Sequence, residues 1–443
     1  MADQSGHGNS ILSAGNYKLE KFVMYSLING KEIDLKNLFR YIEIYEDIFS
    51  PYLSAKLHIE DAFNFPERFP IVGHEKIEIT FKSDINAFAP VQLLFRVYKL
   101  DTQRISDTGK TQQYVLHLMS EGGFFNFSDY CGYAMSGTVS DMVAGIFKKH
   151  FPEGVWKDRL QIEPTKDNYS FVLPYAYTPF KAINWLTAKA YTKAGNDYSP
   201  FLFYETLDGY RFASLSSIID QGSANPITYL HTTANAGIAE GQLQDLGFKS
   251  ALPSRYHKIQ RLEEMSRFDA ANNIMNGIVS SRLVVHDLVR KEQRISDLFE
   301  PVIFDSIKKL GTEPHFRTAD PESKRMFGRG VAYSYLPSTP YTVHDKSNGI
   351  VDNSKIESVY LKRKYHMNAF MTQKIMIEIF GDSRRRVGDV MHIKVPKPQS
   401  DVAVLTDMDD KNLSGEYLVT SVKHTLGTAY SCKLELSRNC MGV

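Results

Sequence analysis

Apolar side chains alternate with other residues in two separate parts of this chain, and a period of two predicts β-strands. Near the C-terminus, Lys374–Val395 contains two such strands, separated by Gly381, a turn with three arginines, and Gly388. Further alternating segments follow at Tyr417–His424 and Ser431–Ser437. Together these four segments predict a small β-barrel module.

A similar order of elements occurs near the N-terminus. Gly73 precedes a strand in which Ile77, Ile79 and Phe81 alternate, and two further strands follow after a loop and a turn. The distance from glycine to the first alternating residue differs by one between the two copies, and the loops differ in length. With Met391 as the counterpart of Ile77, the positions assigned to the repeated module are Gly73, Ile77, Ile79, Phe81, Gly381, Gly388, Asp389, Ile393, Val395, Tyr417 and His424.

The remaining segments divide the chain into domains by pattern and composition. The predicted parts are a flexible N-terminal arm at 1–16, a first, tube-like β-barrel module at 17–121, an inserted α+β domain at 122–220, a Gly/Ala-rich segment at 221–254 that returns to the first module, and a second β-barrel module at 255–443. The last part includes a long loop at 311–354 without clear periodicity and a helix at 355–373. The fold class is therefore α+β and rich in β-strands.

The inserted domain has the clearest helix signals. Thr138 is a suitable N-cap with Asp141 three positions later, and five apolar residues follow at the helical spacing. A second helix begins at Pro179, where the missing proline N–H costs nothing. Asp208-Gly209 then marks the turn of a hairpin.

The composition indicates a well-packed globular protein. Of 443 residues, 43% are hydrophobic and 12% aromatic, and 52 basic residues nearly balance 51 acidic ones. A net charge of +1 provides no field that would attract nucleic acid or an anionic membrane. Three cysteines without a CxxC motif favour reduced thiols, and neither a signal peptide nor a membrane span is predicted. We therefore expect a protein made in the cytoplasm.

Motifs of known catalytic or metal sites are absent from the sequence. It has no HExxH, no GxSxG, no P-loop and no GxGxxG after a strand. Three histidines lie in predicted strands and are assigned packing or surface roles: His117, His392 and His424. We therefore assign no catalytic, cofactor-binding or metal-binding residue.

Two charged clusters have alternative interpretations. Asp407, Asp409 and Asp410 faintly resemble a calcium loop, but the expected glycine and closing glutamate are missing, so a solvated turn is favoured. Arg384–Arg386 could contact a partner or form a solvent-exposed turn, and the exposed turn is favoured because charge runs usually face solvent.

Several of these segments, in this order, resemble the baseplate hub proteins of T-even-type contractile phage tails. The N-terminal part of the valine-glycine-repeat spike proteins of type VI secretion is similar at a greater distance. The matching segments are Thr138–Phe147, Thr178–Leu186, the hairpin FLFYETLDGYRF, and the C-terminal strands VGDVMHIKVP, LSGEYLVTSVKHTL and YSCKLELSRN.

The resemblance implies a structural, non-enzymatic virion protein without cofactors. It would form a homotrimer whose two related barrels per chain build a ring, adapting the sixfold tail tube to the threefold central spike while DNA passes through. The implied partners are the tail tube protein, a separate central spike protein and neighbouring baseplate wedge proteins, with no membrane. The implied location is the tail baseplate, after synthesis in the cytoplasm of the bacterial host.

Two other functions remain open at this point. A multidomain β-rich glycan hydrolase with an unrecognised carboxylate pair is the main alternative. An effector-delivery spike of a secretion system is a third, which the absence of a C-terminal spike module in this sequence weakens.

Overall fold

The structure is a computed structural model of the 443-residue chain. It describes residues 15–28, 30–62, 69–83, 89–105, 111–166, 168–193, 198–224, 226–231, 257–287, 291–299, 304–314, 332–338, 344–345, 349–350, 354–397 and 409–440. Most of the predicted N-terminal arm lies outside these ranges. At its end, the Gly15 carbonyl accepts a 2.8 Å hydrogen bond from the Tyr430 N–H.

The N-terminal residues form seven strands, which we call the first strand group: β1 (Tyr17–Tyr25), β2 (Glu32–Asp34), β3 (Phe39–Asp47), β4 (Ser54–Asp61), β5 (Lys76–Ser83), β6 (Val91–Ile105) and β7 (Gln112–Ser120). They pair antiparallel in the order β2-β1-β5-β6-β7-β4-β3. Alternate residues such as Ile42, Ile44 and Phe81 are fully buried, as the period of two predicts.

The next segment has a core of its own. Its elements are α1 (Glu121–Asn126), β8 (Ala134–Gly137), α2 (Val139–His150), α3 (Glu153–Trp156), β9 (Leu160–Ile162), β10 (Tyr169–Val172), α4 (Pro179–Thr187), β11 (Phe201–Thr206), β12 (Gly209–Ser214) and α5 (Leu215–Ser223). Thr138 caps α2 by accepting from the Asp141 N–H, and the predicted hairpin is β11–β12. Helix α5 packs instead on the main core through Leu215, Ile218 and Ile219.

The second strand group closes into a barrel. Its strands are β13 (Ile227–His231), β14 (Lys258–Ser266), β20 (Gln373–Phe380), β21 (Val390–Lys394), β22 (Gly415–Leu426) and β23 (Tyr430–Arg438). They pair in the circular order β13-β21-β22-β23-β20-β14 and back to β13. The β-rich α+β fold with a barrel, as predicted, is confirmed.

Further elements lie between β14 and β20. They are α6 (Ala270–Met275), β15 (Ser280–Asp287), β16 (Glu292–Phe299), a 3-10 turn (Phe304–Ser306), β17 (Ala332–Ser338), β18 (His344–Asp345), β19 (Gly349–Ile350) and α7 (Ser354–Phe370). The described parts of the predicted loop 311–354 thus include strands, and β17 pairs in parallel with β15. Periodicity missed β17 because its sequence AYSYLPS has little apolar alternation and contains Pro337.

The two strand groups repeat one arrangement. Taken in chain order, β1, β3, β4, β5, β6 and β7 correspond to β13, β14, β20, β21, β22 and β23, and the order of pairing within each group is the same. Ile77 and Ile79 face Phe95 and Leu93 in the first group, and Met391 and Ile393 face Tyr417 and Gly415 in the second. Two β-bulges also coincide between the groups: Phe39/Tyr41 with Ile259/Arg261, and Val97/Lys99 with Val419/Ser421.

One strand departs from the repeat. Strand β1 pairs antiparallel with β5, whereas its counterpart β13 pairs in parallel with both β21 and β14. The described part of the predicted return segment 221–254 therefore joins the second strand group, and the prediction that it leads back to the first differs from the structure. Glycine-rich composition marks a connection, but it does not reveal which sheet the connected strand enters.

The two groups are joined by a direct ladder. Residues Ser421–Leu426 of β22 pair antiparallel with Ile42–Asp47 of β3, so both groups belong to one 13-stranded sheet. Strand β22 can do this because its first residues pair with β21 and its later residues extend beyond that strand. We call the β3–β22 ladder and the adjoining loop 381–389 the module junction.

Candidate functional site at the module junction

The arginine turn lies inside the module junction. Arg385 is 3% exposed, and its guanidinium lies 3.4 Å from Asp382 and 3.6 Å from Asp389. Arg384 donates hydrogen bonds to the Asp382 carboxylate from two guanidinium nitrogens, and its side chain is only partly exposed. The prediction of a solvent-exposed turn is therefore wrong, because the loop is buried and its own Asp382 and Asp389 form ion pairs with Arg384 and Arg385.

The network lowers the pKa of one carboxyl. Burial by itself would raise the pKa of Asp382, but the neighbouring Arg384 and Arg385 outweigh it and lower the pKa. Arg386 extends the network to the inserted segment, because its side chain donates to both carboxylate oxygens of Asp208 at 2.7 and 2.9 Å. The loop thus connects the second strand group with the turn of the β11–β12 hairpin.

A buried histidine lies beside this loop on β22. His424 Nε2 is 3.0 Å from Glu46 of β3, and Nδ1 is 2.8 Å from the Tyr430 hydroxyl and 3.3 Å from the Cys432 sulfur. Burial opposes the charged imidazolium, but the Cys432 sulfur and the Glu46 carboxylate outweigh it and raise the pKa of His424 to about 9. A charged, buried pair therefore crosses the ladder that joins the two strand groups.

Two glycines allow close approach in the same region. A Cβ at Gly381 would lie 2.0 Å from the Tyr430 ring, so no larger residue fits without displacing that ring. Gly388 has φ +91, and its N–H donates to the Val419 carbonyl. In the first group His74, with φ 63, donates to Val97 in the same way. His74, rather than Gly73, therefore takes the place of Gly388, which accounts for the difference of one residue in the repeat.

The other assigned positions are distributed over both groups. Gly73 has φ +96 with no atom near its absent Cβ, and Asp389 accepts from the Arg386 N–H. Tyr417 donates to the Leu413 carbonyl. The apolar members are all buried in the main core: Ile77, Ile79, Phe81, Ile393 and Val395. The structure brings Gly381, Gly388, Asp389 and His424 together, while Gly73 lies in the other group, next to the Gly388 counterpart His74.

Sequence reasoning missed the acidic partners at this junction. Glu46 follows Ile42 and Ile44 at the same period of two, so the pattern did place a carboxylate on the buried face of β3. A charged residue at a predicted core position is a signal of a buried pair. The partner itself could not be found, because His424 is 378 positions away.

A second polar cluster lies in the inserted segment. His150 contacts Asp129 at 2.6 Å and the Tyr133 hydroxyl at 2.9 Å, and its Nε2 is 3.5 Å from the Cys131 sulfur. Burial raises the pKa of the Cys131 thiol, which is the reverse of what activates a cysteine nucleophile. Among the described residues there is no group of three ligands that could hold a metal ion. Of the acidic cluster, Asp410 accepts from the Asn412 N–H, while Asp407 lies outside the described residues.

Comparison with known proteins identifies the relationship. No family model matches the chain. A probable baseplate hub protein of Vibrio phage KVP40 is 23% identical over 440 residues, covering 95% of both chains. This chain is a homologue of a phage baseplate hub protein. The resemblance inferred from the sequence is confirmed. The comparisons support a structural role in the baseplate hub and do not support the alternative of a glycan hydrolase.

Two solved tail proteins have a fold similar to that of this chain. The 43 kDa tail protein of prophage MuSo2 from Shewanella oneidensis aligns with a TM-score of 0.52 and 8% identity, covering 95% of this chain and 98% of the other. The tail protein from Neisseria meningitidis MC58 aligns with a TM-score of 0.51 and 10% identity, covering 96% and 98%. A hub homologue is a component of the virion tail, and no helix among the described residues is long and apolar enough to cross a membrane.

Proposed function

We propose that this hub homologue acts as a homotrimer that joins the sixfold tail tube to a threefold central spike. The observation that carries this proposal is the repeat of one strand arrangement within a single chain. Three copies of a chain with two similar modules present six similar modules in cyclic symmetry. Such a ring can match a sixfold partner on one side and a threefold partner on the other.

The module junction supports the adapter role physically. A fixed angle between modules requires a stiff connection, and here it consists of a shared β-ladder, the buried His424–Glu46 pair and the Arg385 network. The tail tube protein, a separate spike protein and neighbouring wedge proteins are the proposed partners. No catalytic step is assigned to the protein in this role.

The charge balance suits a passage for DNA. A channel rich in lysine and arginine would hold the phosphate backbone and slow its transit. With 52 basic and 51 acidic residues, this chain carries almost no net charge. We propose that DNA passes through the ring without tight binding, and that the inserted 122–220 segment lies outside the channel.

Light scattering on the full-length chain, alone and with its spike partner, tests the proposal. We expect a mass three times the 50.4 kDa of one chain, and threefold symmetry by electron microscopy. A chain that stays monomeric with its tail partners, or a dimer with twofold symmetry, would contradict the hub trimer.

A further inference from the structure

The strands that correspond to β3 and β22 in the repeat are not paired with each other in the described part of the chain. In the module junction, β3 of the first group covers the edge of β22 that extends beyond β21. The counterparts of these two strands are β14 and β6. Strand β6 likewise extends beyond its partner β5, whose ladder ends at Arg96.

Hydrogen bonds place the two edges in the same position along their strands. Val97 donates to the Glu75 carbonyl and accepts from the His74 N–H, and Val419 does the same with Asp389 and Gly388. Immediately beyond Val419, the Thr420 carbonyl accepts a 3.0 Å bond from the Ile48 N–H, where β3 begins to cover the edge. Immediately beyond Val97, among the described residues, no strand covers Tyr98–Leu100 on that side.

Exposure shows the difference between a covered and an open edge. Thr420 is 2% exposed and Val422 is fully buried, whereas their counterparts Tyr98 and Leu100 are 47% and 40% exposed. An exposed edge with large apolar side chains is a template for pairing with another strand. The β6 edge therefore has the chemistry of an interface.

Strand β14 offers the complementary edge. It pairs with β20 along one side, but on the other side its described ladder to β13 involves Lys258 and Ile259 alone. Met265 and Phe268, at and just beyond its end, are 47% and 64% exposed. In the first group, the corresponding edge of β3 is the one that pairs with β22 within the same chain.

The ladders also determine the expected register. In β14, Ser266 pairs with Lys374 of β20, and in β3 the equivalent residue Tyr45 pairs with Ser54 of β4. Two residues further along each strand direction, Phe268 therefore corresponds to Asp47. Lys99 lies two residues after Val97 on β6, and Ser421 lies two residues after Val419 on β22, so Lys99 corresponds to Ser421. Since Asp47 and Ser421 are ladder partners within the chain, the counterpart pair is Phe268 and Lys99.

We propose that the β14 edge of one copy pairs antiparallel with the β6 edge of a second copy, with Phe268 opposite Lys99. This inference rests on the proposed homotrimer and specifies the surface that holds it together. The contact is heterologous, because each copy contributes a different edge to each neighbour, and three such contacts can close a ring. Junctions within and between chains would then alternate around that ring.

Cysteine cross-linking of the full-length chain tests the pairing. Lys99→Cys and Phe268→Cys, combined in one chain and oxidised, should shift most of the protein from one chain mass to two and three on a non-reducing gel. Mixing the two single variants should give covalent dimers only. The native cysteines Cys131, Cys432 and Cys440 are buried, so they interfere little.

Two matched pairs serve as controls. Asp47→Cys with Ser421→Cys should close within one chain, losing both thiols without a change of mass. Lys99→Cys with Arg261→Cys moves one exposed cysteine about 20 Å along β14, at roughly 3.3 Å per residue, and should not cross-link.

The outcomes separate this inference from the trimer itself. A trimeric mass without cross-linking of the Lys99/Phe268 pair, while the control pair within one chain closes, would overturn the edge pairing and leave the hub trimer standing. Equal cross-linking through Arg261 would overturn the register. A chain that never forms a trimer would overturn both proposals.

Discussion

At the residue scale, the module junction depends on charges placed where only apolar side chains would be expected. Arg385 and His424 are both buried: Arg385 faces Asp382 and Asp389 of its own loop, and His424 faces Glu46 of β3. A buried charge pair contributes less net stability than its Coulomb energy suggests, but removing one partner leaves the other charge uncompensated. Such pairs are therefore sensitive points, and the His424–Glu46 pair also links two strands that lie far apart in the sequence.

The His424–Glu46 pair makes stability depend on pH in a definite direction. The folded pKa of about 9 lies above the usual value of 6.5, so the stabilisation is complete below about pH 6.5 and disappears as pH rises through about 9. The Cys432 sulfur also raises this pKa, so we expect Glu46→Gln to remove only the part due to Glu46, on the order of 1 kcal/mol across the window. Urea midpoints at pH 6, 7.5 and 9 measure it.

His117→Gln is the matched control for this prediction. The pKa of His117 is lowered by burial and by nearby lysines, so its titration affects stability at acid pH and leaves the alkaline slope unchanged. If the urea midpoint falls between pH 7.5 and pH 9 as steeply in Glu46→Gln as in the natural chain, the His424–Glu46 pair does not cause the pH dependence.

At the element scale, a buried glutamate helps to attach the inserted segment to the first strand group. Glu205 of β11 is 3% exposed and accepts from the Leu53 N–H at 2.9 Å and from the Ser120 hydroxyl at 2.5 Å. Burial raises its pKa, so the folded state favours the protonated form. Nearby, a Cβ at Gly122 would lie 2.0 Å from the Tyr210 hydroxyl, which shows how closely the elements approach here.

Replacing Glu205 by glutamine should therefore stabilise the chain at neutral pH. Because the folded pKa of Glu205 is raised, this residue's contribution to stability is fully present below its unfolded pKa of about 4.3 and is lost as pH rises. Glu205→Gln keeps the acceptor without the charge, and we expect the free energy of unfolding at pH 7.5 to rise by about 1 kcal/mol. Urea denaturation at pH 5 and pH 7.5 measures the change.

The control is a substitution that removes the acceptor as well. Glu205→Leu leaves the Leu53 N–H and the Ser120 hydroxyl without this partner, and we expect it to destabilise the chain by about 1–3 kcal/mol. If Glu205→Gln is as destabilising as Glu205→Leu, then the charge of Glu205 contributes to the attachment and the argument fails.

At the scale of the whole molecule, one sheet extends through both strand groups and positions everything else. The inserted core and the elements between β14 and β20 are attached to this sheet as additions between repeated strands. Loop 381–389 also removes two of its three arginines from the surface, because Arg385 and Arg386 are largely buried and paired with aspartates.

We accordingly expect no tight binding of DNA by the full-length chain. The net charge is +1, and the three consecutive arginines are held in ion pairs. Fluorescence anisotropy with labelled duplex DNA should show no sub-micromolar binding at physiological salt, with a known DNA-binding protein as the positive control. Tight binding that weakens steeply as salt rises would contradict the proposed unhindered passage.

The sequence alone determined the local elements and the existence of a repeat. Alternation at period two located β5, β21, β22 and β23 within a few residues, and the capping pattern at Thr138 located α2. These features follow from interactions between near neighbours, which leave their spacing in the chain. The hub resemblance drew on the same segments, so it too could be recognised before the structure.

Only the tertiary structure decided how the repeats are joined and which charges are buried. The ladder between β3 and β22 connects residues hundreds of positions apart, and no spacing in the sequence records such a pairing. Asp382 and Asp389 already lie close to Arg385 in the sequence, but only the tertiary structure shows that their loop is buried. The direction of β13 was equally hidden, because a strand has the same alternation whichever way it runs.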